Sequence, residues 1–229
     1  MDGGSTLNLS LDGADALTAG IDTLVIAGWT GRDRAALEAH MAELEAIGIA
    51  RPKSAPIFYR VAASLLTTDA EIQVAGTDSS GEVEAVILSL PDGLHIGVGS
   101  DHTDRKVEAY GITVSKQACA KPLGPALWRF DEVAEHWDEL VLRSWTTVAG
   151  KRRAYQEGPA ARMRHPFDLI ERYLGAGGTL PVGTAMFCGT LAVIGPLEPG
   201  ELFEIELKDP VAGRTLSHRY AVKTLPVEG

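Results

Sequence analysis

Glu82 and Glu84 stand two apart in GEVEAVIL, and a second charged group, Asp101, Asp104, Arg105 and Glu108, follows in GSDHTDRKVE. In an extended strand residues i and i+2 share a face, so the first two carboxylates sit about 7 Å apart along the side that also carries Val86 and Leu88. Burying them there requires a cation or hydrogen-bond donors. Two carboxylates from one strand face and a third, Asp101, from the end of a following strand make an oxygen-only ligand set. Such a set suits Mg²⁺, Mn²⁺ or Ca²⁺, whereas zinc recruits His or Cys more heavily. On spacing alone the alternative is a solvated strand face with Arg or Lys beside it.

His40 and Glu43 in AHMAE are i and i+3 of an expected helix and hence neighbours on its surface. A carboxylate can orient the imidazole and leave its other nitrogen free to take a proton from water; the plain alternative is a charged helix flank. Lys116, shortly before a Pro-Leu-Gly-Pro turn, and Arg105 could bind a substrate carboxylate or a developing oxyanion, or serve as structural counterions. Thr184 in GTAMFCGT follows a glycine, where a backbone N–H and a hydroxyl could hold a carboxylate. Cys188 lies in an apolar strand without an adjacent His, a poor setting for a nucleophile.

The elements that must position these residues are mostly strands. TLNLSLDG and DTLVIAGW open the chain as two strands. Leu37, Met41, Leu44 and Ile47 then follow helical spacing, which predicts a helix over 33–47 with Gly48 as its stop. An aromatic strand, IFYRV, comes after two prolines, and EIQVAG, EVEAVILSL, LHIGVGS and YGITVS read as further strands. DEVAEHWDEL is a short helix candidate, and LVLRSWTTVAGKRRAYQ a hairpin turning at Ala149 and Gly150. PFDLIERYLGAGG is another helix, and TAMFCGTLAVIG, ELFEIEL and LSHRYAVKTL close the chain in strands. Many strands with few short helices, lacking regular strand–helix alternation, predict an α+β, mainly β fold.

The chain has 229 residues and a net charge of −10, and its densest basic run, GKRRAYQ, holds three cations. Nucleic acid is therefore not the expected partner. Two cysteines without metal-type spacing, no signal-like start and no apolar run of membrane-span length point to a cytoplasmic protein without a membrane partner.

Read in order from about residue 37 to 222, these pieces resemble the fumarylacetoacetate hydrolase superfamily. HMAELEAIGIARPKSAPIFYR is similar to its H-x-x-E, Pro-rich segment and aromatic strand, EVEAVIL to its E-x-E ligand pair, and SDHTDRKVE to its N-D-x-(S/T)-A-R-D-x-Q. SKQACAKPLGP is similar to its lysine before P-L-G-P, the stretch from LVLRSW to ERYL to its strand pair running through a Gln into a helix, and VGTAMF…LEPGELFEIEL to its closing G-T-P and P-G-D. AGWTGRD, GSDHTDR and AMFCGT together also resemble an uncharacterised domain-of-unknown-function subgroup, DUF2848.

The resemblance implies one domain over 1–229, with N-terminal strands in 1–31 and a catalytic core in 32–229, folded as a mixed β-sheet roll and assembled as a homodimer. It implies Glu82, Glu84 and Asp101 as ligands of Mg²⁺ or Mn²⁺, with Ca²⁺ possible. His40, Glu43 and Lys116 would be catalytic, and Arg105, Tyr59, Thr184 and Glu108 would line a small-molecule oxo-acid substrate. The reaction would be hydrolytic C–C cleavage through an enolate, with decarboxylation or tautomerisation as the alternative and a non-catalytic metal or small-molecule binding protein as the alternative of another class. Departures stand out: Glu84 and Asp101 are only 17 residues apart, Glu108 replaces Gln, Asp104 replaces Ala and Ala185 replaces Pro. An acidic Glu108 near the pocket would weaken affinity for a doubly anionic substrate.

Overall fold

The run VEAVILSL becomes a strand with every residue buried, because side chains cover it on both faces. The computed structural model describes residues 4–13, 15–46 and 51–228. The chain opens with strands β1 (Ser5–Leu11), β2 (Asp15–Ile21) and β3 (Thr23–Gly28), helix α1 (Arg34–Ala46), then strands β4 (Ile57–Val61), β5 (Leu66–Thr67), β6 (Glu71–Ala75) and β7 (Ser79–Ser80). The hairpin β8 (Val83–Leu90) and β9 (Gly93–Ser100) leads into β10 (Thr103–Asp104), helices α2 (Arg105–Glu108) and α3 (Ile112–Gln117), strands β11 (Lys121–Pro122) and β12 (Ala126–Arg129), and helix α4 (Asp131–Ala134). Strands β13 (Val141–Val148) and β14 (Lys151–Pro159), helix α5 (Pro166–Leu174), and strands β15 (Thr184–Thr190), β16 (Leu202–Asp209) and β17 (Arg214–Leu225) complete it.

Two mixed sheets carry the fold: an eight-stranded one in the order β2-β1-β12-β9-β8-β15-β3-β4, and a five-stranded one in the order β14-β13-β16-β17-β6. Within these two sheets the parallel pairs are β1 with β12, β3 with β15, and β6 with β17. Val83, Ala85 and Ile87 of β8 pack toward the second sheet, against a cluster that includes Leu142, Ile205, Leu207 and Leu216. Val86 and Leu88 point the other way, into a cluster with Leu7, Leu9, Leu24, Ile26, Leu127 and Phe187. Covered on both faces, β8 reads as a continuous apolar run rather than an alternating one. This is the expected α+β, mainly β architecture of mixed, curled sheets.

Two expectations fail locally. The opening holds three strands, because DALTAGI pairs with β1 along its whole length, from Ser5↔Ile21 to Leu11↔Asp15. The pair turns at Asp12 and Gly13, with φ of 48° and 74°, the conformation a tight hairpin requires. YGITVS, expected as a strand, instead contributes to helix α3. Its β-branched residues alternate as in a strand, but Ser115 and Lys116 are buried next to each other, and Ile112, three and four positions earlier, packs on the apolar core. The helix expected over 33–47 spans Arg34–Ala46, and Gly48 lies outside the described residues. The hairpin expected at Ala149 and Gly150 forms there, with φ of 48° and 72°. Among the described residues no helix is long and apolar enough to cross a membrane.

Candidate metal centre

Strand register brings the acids together. Val83 pairs with Ser100 and Glu84 with Gly99, so Glu82 and Asp101 face each other one step beyond the ladder, joined by an Asp101 N–H donated to the Glu82 carbonyl at 2.9 Å. Gly99 leaves the space opposite Glu84 free of a side chain; a Cβ there would come within 2.7 Å of Val86 and 2.8 Å of Phe187. Carboxylate oxygens of Glu82, Glu84 and Asp101 lie within 4.8 Å of one another. Glu84 and Asp101 are fully or almost fully buried, at 2% and 0% exposed.

The chain beyond Asp101 then folds back over the acids. Asp104 caps α2 by accepting from the Lys106 and Val107 N–H groups at 3.0 and 2.9 Å, which sends Arg105 inward. Arg105 Nε donates to Ser80 Oγ at 2.7 Å, and its Nη1 reaches Glu82 Oε1 at 2.9 Å and Glu108 Oε2 at 3.2 Å. Helix α3 delivers Lys116, whose Nζ contacts Asp101 Oδ2, lies 3.7 Å from Glu82 Oε2, and sits 5.8 Å from the centre of the Tyr59 ring. Lys121 Nζ is 3.2 Å from Asp101 Oδ1, but its hydrogen bonds go to the His102 and Cys119 carbonyls at 2.6 and 3.1 Å. Asp101 Oδ1 is thus buried without a hydrogen-bond partner.

Electrostatics divides the acids. Burial, reinforced by the Asp101 and Glu82 charges, holds the Glu84 carboxyl well above the usual carboxylate range, against the Lys116 charge and a Gly189 N–H at 2.7 Å. Burial would raise Asp101 as well, yet Lys116 and Lys121 outweigh it and hold it low. Burial lowers Lys121 more than Asp101 restores it, whereas at Lys116 the Asp101 and Glu82 charges prevail over burial and raise it. Behind the acids, burial together with Lys121 and Arg105 pushes the His102 imidazole down to about 3, so it is neutral. Tyr220 donates to Ser100 Oγ at 2.7 Å, so its oxygen accepts from His102 Nδ1 at 3.1 Å, and His102 Nε2 accepts from Ser79 Oγ at 2.9 Å. Ser100 Oγ in turn accepts the Glu82 N–H at 3.1 Å, so this network supports the backbone of one of the acids.

The residues present fit a hard divalent cation. Three converging carboxylates, all oxygen donors and one of them in surroundings that disfavour its charge, are what such an ion would bind and relieve.

Of the site residues expected from the sequence, Glu82, Glu84, Asp101, Arg105, Glu108, Lys116 and Tyr59 come together here. Tyr59 is buried on β4, where burial raises its phenol, while Lys116 and a hydrogen bond with Trp29 lower it. Thr184 does not join them. It pairs with Ser89, at the far end of β8 from Glu84, about 17 Å along the strand. The Gly-Thr that reaches the acids is the second one in GTAMFCGT, Gly189 and Thr190, since Thr190 pairs with Glu84. His40 and Glu43 fall on α1, but their side chains lie outside the described residues. The sequence reading missed Lys121, although a lysine in the largely apolar stretch ACAKPLG was a signal. Cys188 is buried, and burial pushes its thiol far up, a setting that disfavours the thiolate. A cleft of about 270 Å³ runs beside Arg105 and Ser80, and a larger one of about 470 Å³, around Trp137 and Arg164, shares no residue with the acids.

A family model described as a protein of unknown function, DUF2848, matches residues 27–220. The chain belongs to the DUF2848 family. No curated protein matches this DUF2848 chain. A candidate fumarylacetoacetate isomerase/hydrolase from Oleispira antarctica superposes on it with a TM-score of 0.66 at 19% identity, over 93% of this chain and 98% of that one. A candidate fumarylpyruvate hydrolase from Burkholderia cenocepacia gives 0.62 at 21% identity, over 99% and 98%. A 2-keto-3-deoxy-D-arabinonate dehydratase complexed with magnesium and 2,5-dioxopentanoate gives 0.63 at 16% identity, over 93% and 78%. The DUF2848 chain thus has the fold of fumarylacetoacetate hydrolase family proteins, as its motif order implied.

Proposed function

We propose that this DUF2848 protein is a divalent-metal-dependent enzyme acting on a 2-oxo acid or 1,3-dicarbonyl compound, with hydrolytic C–C cleavage as its reaction. The carrying observation is the convergence of Glu82, Glu84 and Asp101, with carboxylate oxygens within 4.8 Å of one another, at a place where burial disfavours the Glu84 charge. The magnesium and 2,5-dioxopentanoate bound by a dehydratase of the same fold support both the metal and the substrate class. Bound at these carboxylates, Mg²⁺ or Mn²⁺ would supply Lewis acidity for the negative charge that develops on substrate oxygens. Lys116, held between Asp101 and Glu82, offers an ammonium to a substrate carboxylate or to the developing oxyanion. Arg105 fixes Glu82 from the opposite oxygen. His40, with Glu43 as its partner in the H-x-x-E that resembles the family's, would be the base that takes a proton from the attacking water. Decarboxylation or tautomerisation would use the same electron sink without that water.

The test is calorimetric titration of metal-stripped protein with Mn²⁺ and then with oxalate, which mimics a pyruvate enolate, using Glu84→Ala as the control. Oxalate binding that needs the metal and is lost in the variant is the expected result. No Mn²⁺ uptake by the native protein would reduce the acids to a structural ion-pair cluster, and the enzyme reading would end there. An acylpyruvate assay of His40→Ala then separates the chemistries: hydrolysis should be abolished, and an unchanged rate would remove the water-activation role.

A further inference from the structure

The side chains of the metal centre are not equally open. Glu84, Asp101 and Lys121 are at most 2% exposed, whereas the side chains of Glu82 and Arg105 are each 17% exposed and that of Glu108 is 26% exposed. A substrate whose carboxylate and carbonyl reach the acids must therefore send its remaining atoms out past Glu82, Arg105 and Glu108.

Along that side Arg105 is already matched. Arg105 Nη1 is held between Glu82 at 2.9 Å and Glu108 at 3.2 Å, whereas Lys106 lines a neighbouring cleft, with Asp78, Ser79 and Glu198, that Glu108 does not line. Among the described residues of the centre, the four carboxylates of Glu82, Glu84, Asp101 and Glu108 face the three cations of Arg105, Lys116 and Lys121. With a divalent ion bound and all four carboxylates ionised, these groups carry a single net positive charge, which one substrate carboxylate would neutralise. A second carboxylate, at the far end of the substrate, would meet Glu108, whose ion-pair partner Arg105 is already shared with Glu82, a repulsion that discriminates between ligands as effectively as an added attraction.

We infer that the substrate is an oxo acid with one carboxylate and an uncharged tail, and that Glu108 is the residue that rejects a second carboxylate. The inference rests on the oxo-acid reading above. 2-Oxopentanoate and 2-oxoglutarate test it, because they share a five-carbon chain and differ in the terminal carboxylate. Titrated into the Mn²⁺-loaded full chain, 2-oxopentanoate is expected to bind about tenfold more tightly or better. Glu108→Gln, which keeps an oxygen for Arg105, should narrow that gap to about threefold or less by gaining affinity for 2-oxoglutarate. If the native protein binds 2-oxoglutarate as tightly as 2-oxopentanoate, the inference fails while the metal and oxo-acid reading stands. If the gap persists in a Glu108→Gln protein that still takes up Mn²⁺ and 2-oxopentanoate, Glu108 is not the discriminating residue. Absence of Mn²⁺ uptake, or Mn²⁺ uptake without affinity for either acid, would instead bring down the reading on which the inference rests.

Discussion

Glu84 accepts one hydrogen bond, from Gly189 N, at a position 2% exposed and beside two other carboxylates. Without a metal the folded chain must either keep a proton there or hold a poorly compensated charge, and both cost free energy that the unfolded chain avoids. Glu84→Gln removes that cost and leaves an amide oxygen for the Gly189 N–H. In metal-stripped protein near neutral pH it is therefore expected to stabilise the fold by about 1–3 kcal/mol. The same variant should lose the rise in Tm expected when Mn²⁺ is added to the native protein, and thermal unfolding with and without Mn²⁺ reads both effects. A variant less stable than the metal-free native protein would show that Glu84 is a satisfied structural carboxylate. At this scale the sequence was informative where chemistry and spacing coincide: E-x-E followed 17 residues after its second Glu by Asp101 is a short hairpin with acids at its open end. It was silent where partners meet through tertiary folding. Lys121 gives no periodic signal, and of the two Gly-Thr pairs only the β8–β15 register shows which one reaches Glu84.

Elements were legible where local turn chemistry agreed with the hydrophobic period. The β13–β14 hairpin turns on Ala149 and Gly150 as expected, and α5 begins at Pro166 and ends before Gly175. Helix α3 was not legible, because Ile112 and Val114 favour strand and only packing decides otherwise; Lys116, which it carries, reaches Asp101 from that helix. The turn between β16 and β17 depends on another residue of this kind. Asp209, 0% exposed, accepts from the Val211 and Ala212 N–H groups, both at 3.0 Å, and from His136 Nε2 at 3.1 Å. Burial would raise its pKa, but the Ala212 N–H and His136 prevail and hold it below its ordinary value. A depressed folded pKa contributes stability that is present above the unfolded value and is lost as pH falls through the folded one. Asp209→Ala should therefore cost about 1–3 kcal/mol near neutral pH. In urea unfolding followed over a pH series, the gap between native and variant should close as the pH drops below about 4. A gap that stays constant into acid would assign the loss to packing alone.

Across the whole molecule, the two sheets are fastened to each other beside the candidate metal centre by neutral side chains, Tyr220 on Ser100 and, with four hydrogen bonds, Gln156. Gln156 comes from β14 of the five-stranded sheet and is 1% exposed. Its Oε1 accepts the Val83 N–H of β8 at 2.9 Å and the Ser144 hydroxyl at 3.1 Å, and its Nε2 donates to Thr190 Oγ1 at 2.8 Å and to the Leu191 carbonyl at 2.6 Å. Thr190 Oγ1 donates onward to the Val83 carbonyl at 2.8 Å. Val83 lies between Glu82 and Glu84, and Leu191 follows the Gly189–Thr190 pair, so the amide links both backbone segments that aim the acids. Gln156→Leu keeps the approximate volume but strands these buried donors and acceptors, each costing about 1–3 kcal/mol when left unpaired. Its stability should fall by about 3 kcal/mol or more in denaturant unfolding. Because the acids are touched only through their backbone, a second consequence separates this role from simple stabilisation: Mn²⁺ affinity, measured by calorimetry at a temperature where the variant remains folded, should drop about tenfold or more. Native Mn²⁺ affinity in a destabilised Gln156→Leu protein would mean that the β8–β9 hairpin alone sets the geometry of the acids, and that the second sheet contributes stability without shaping the site.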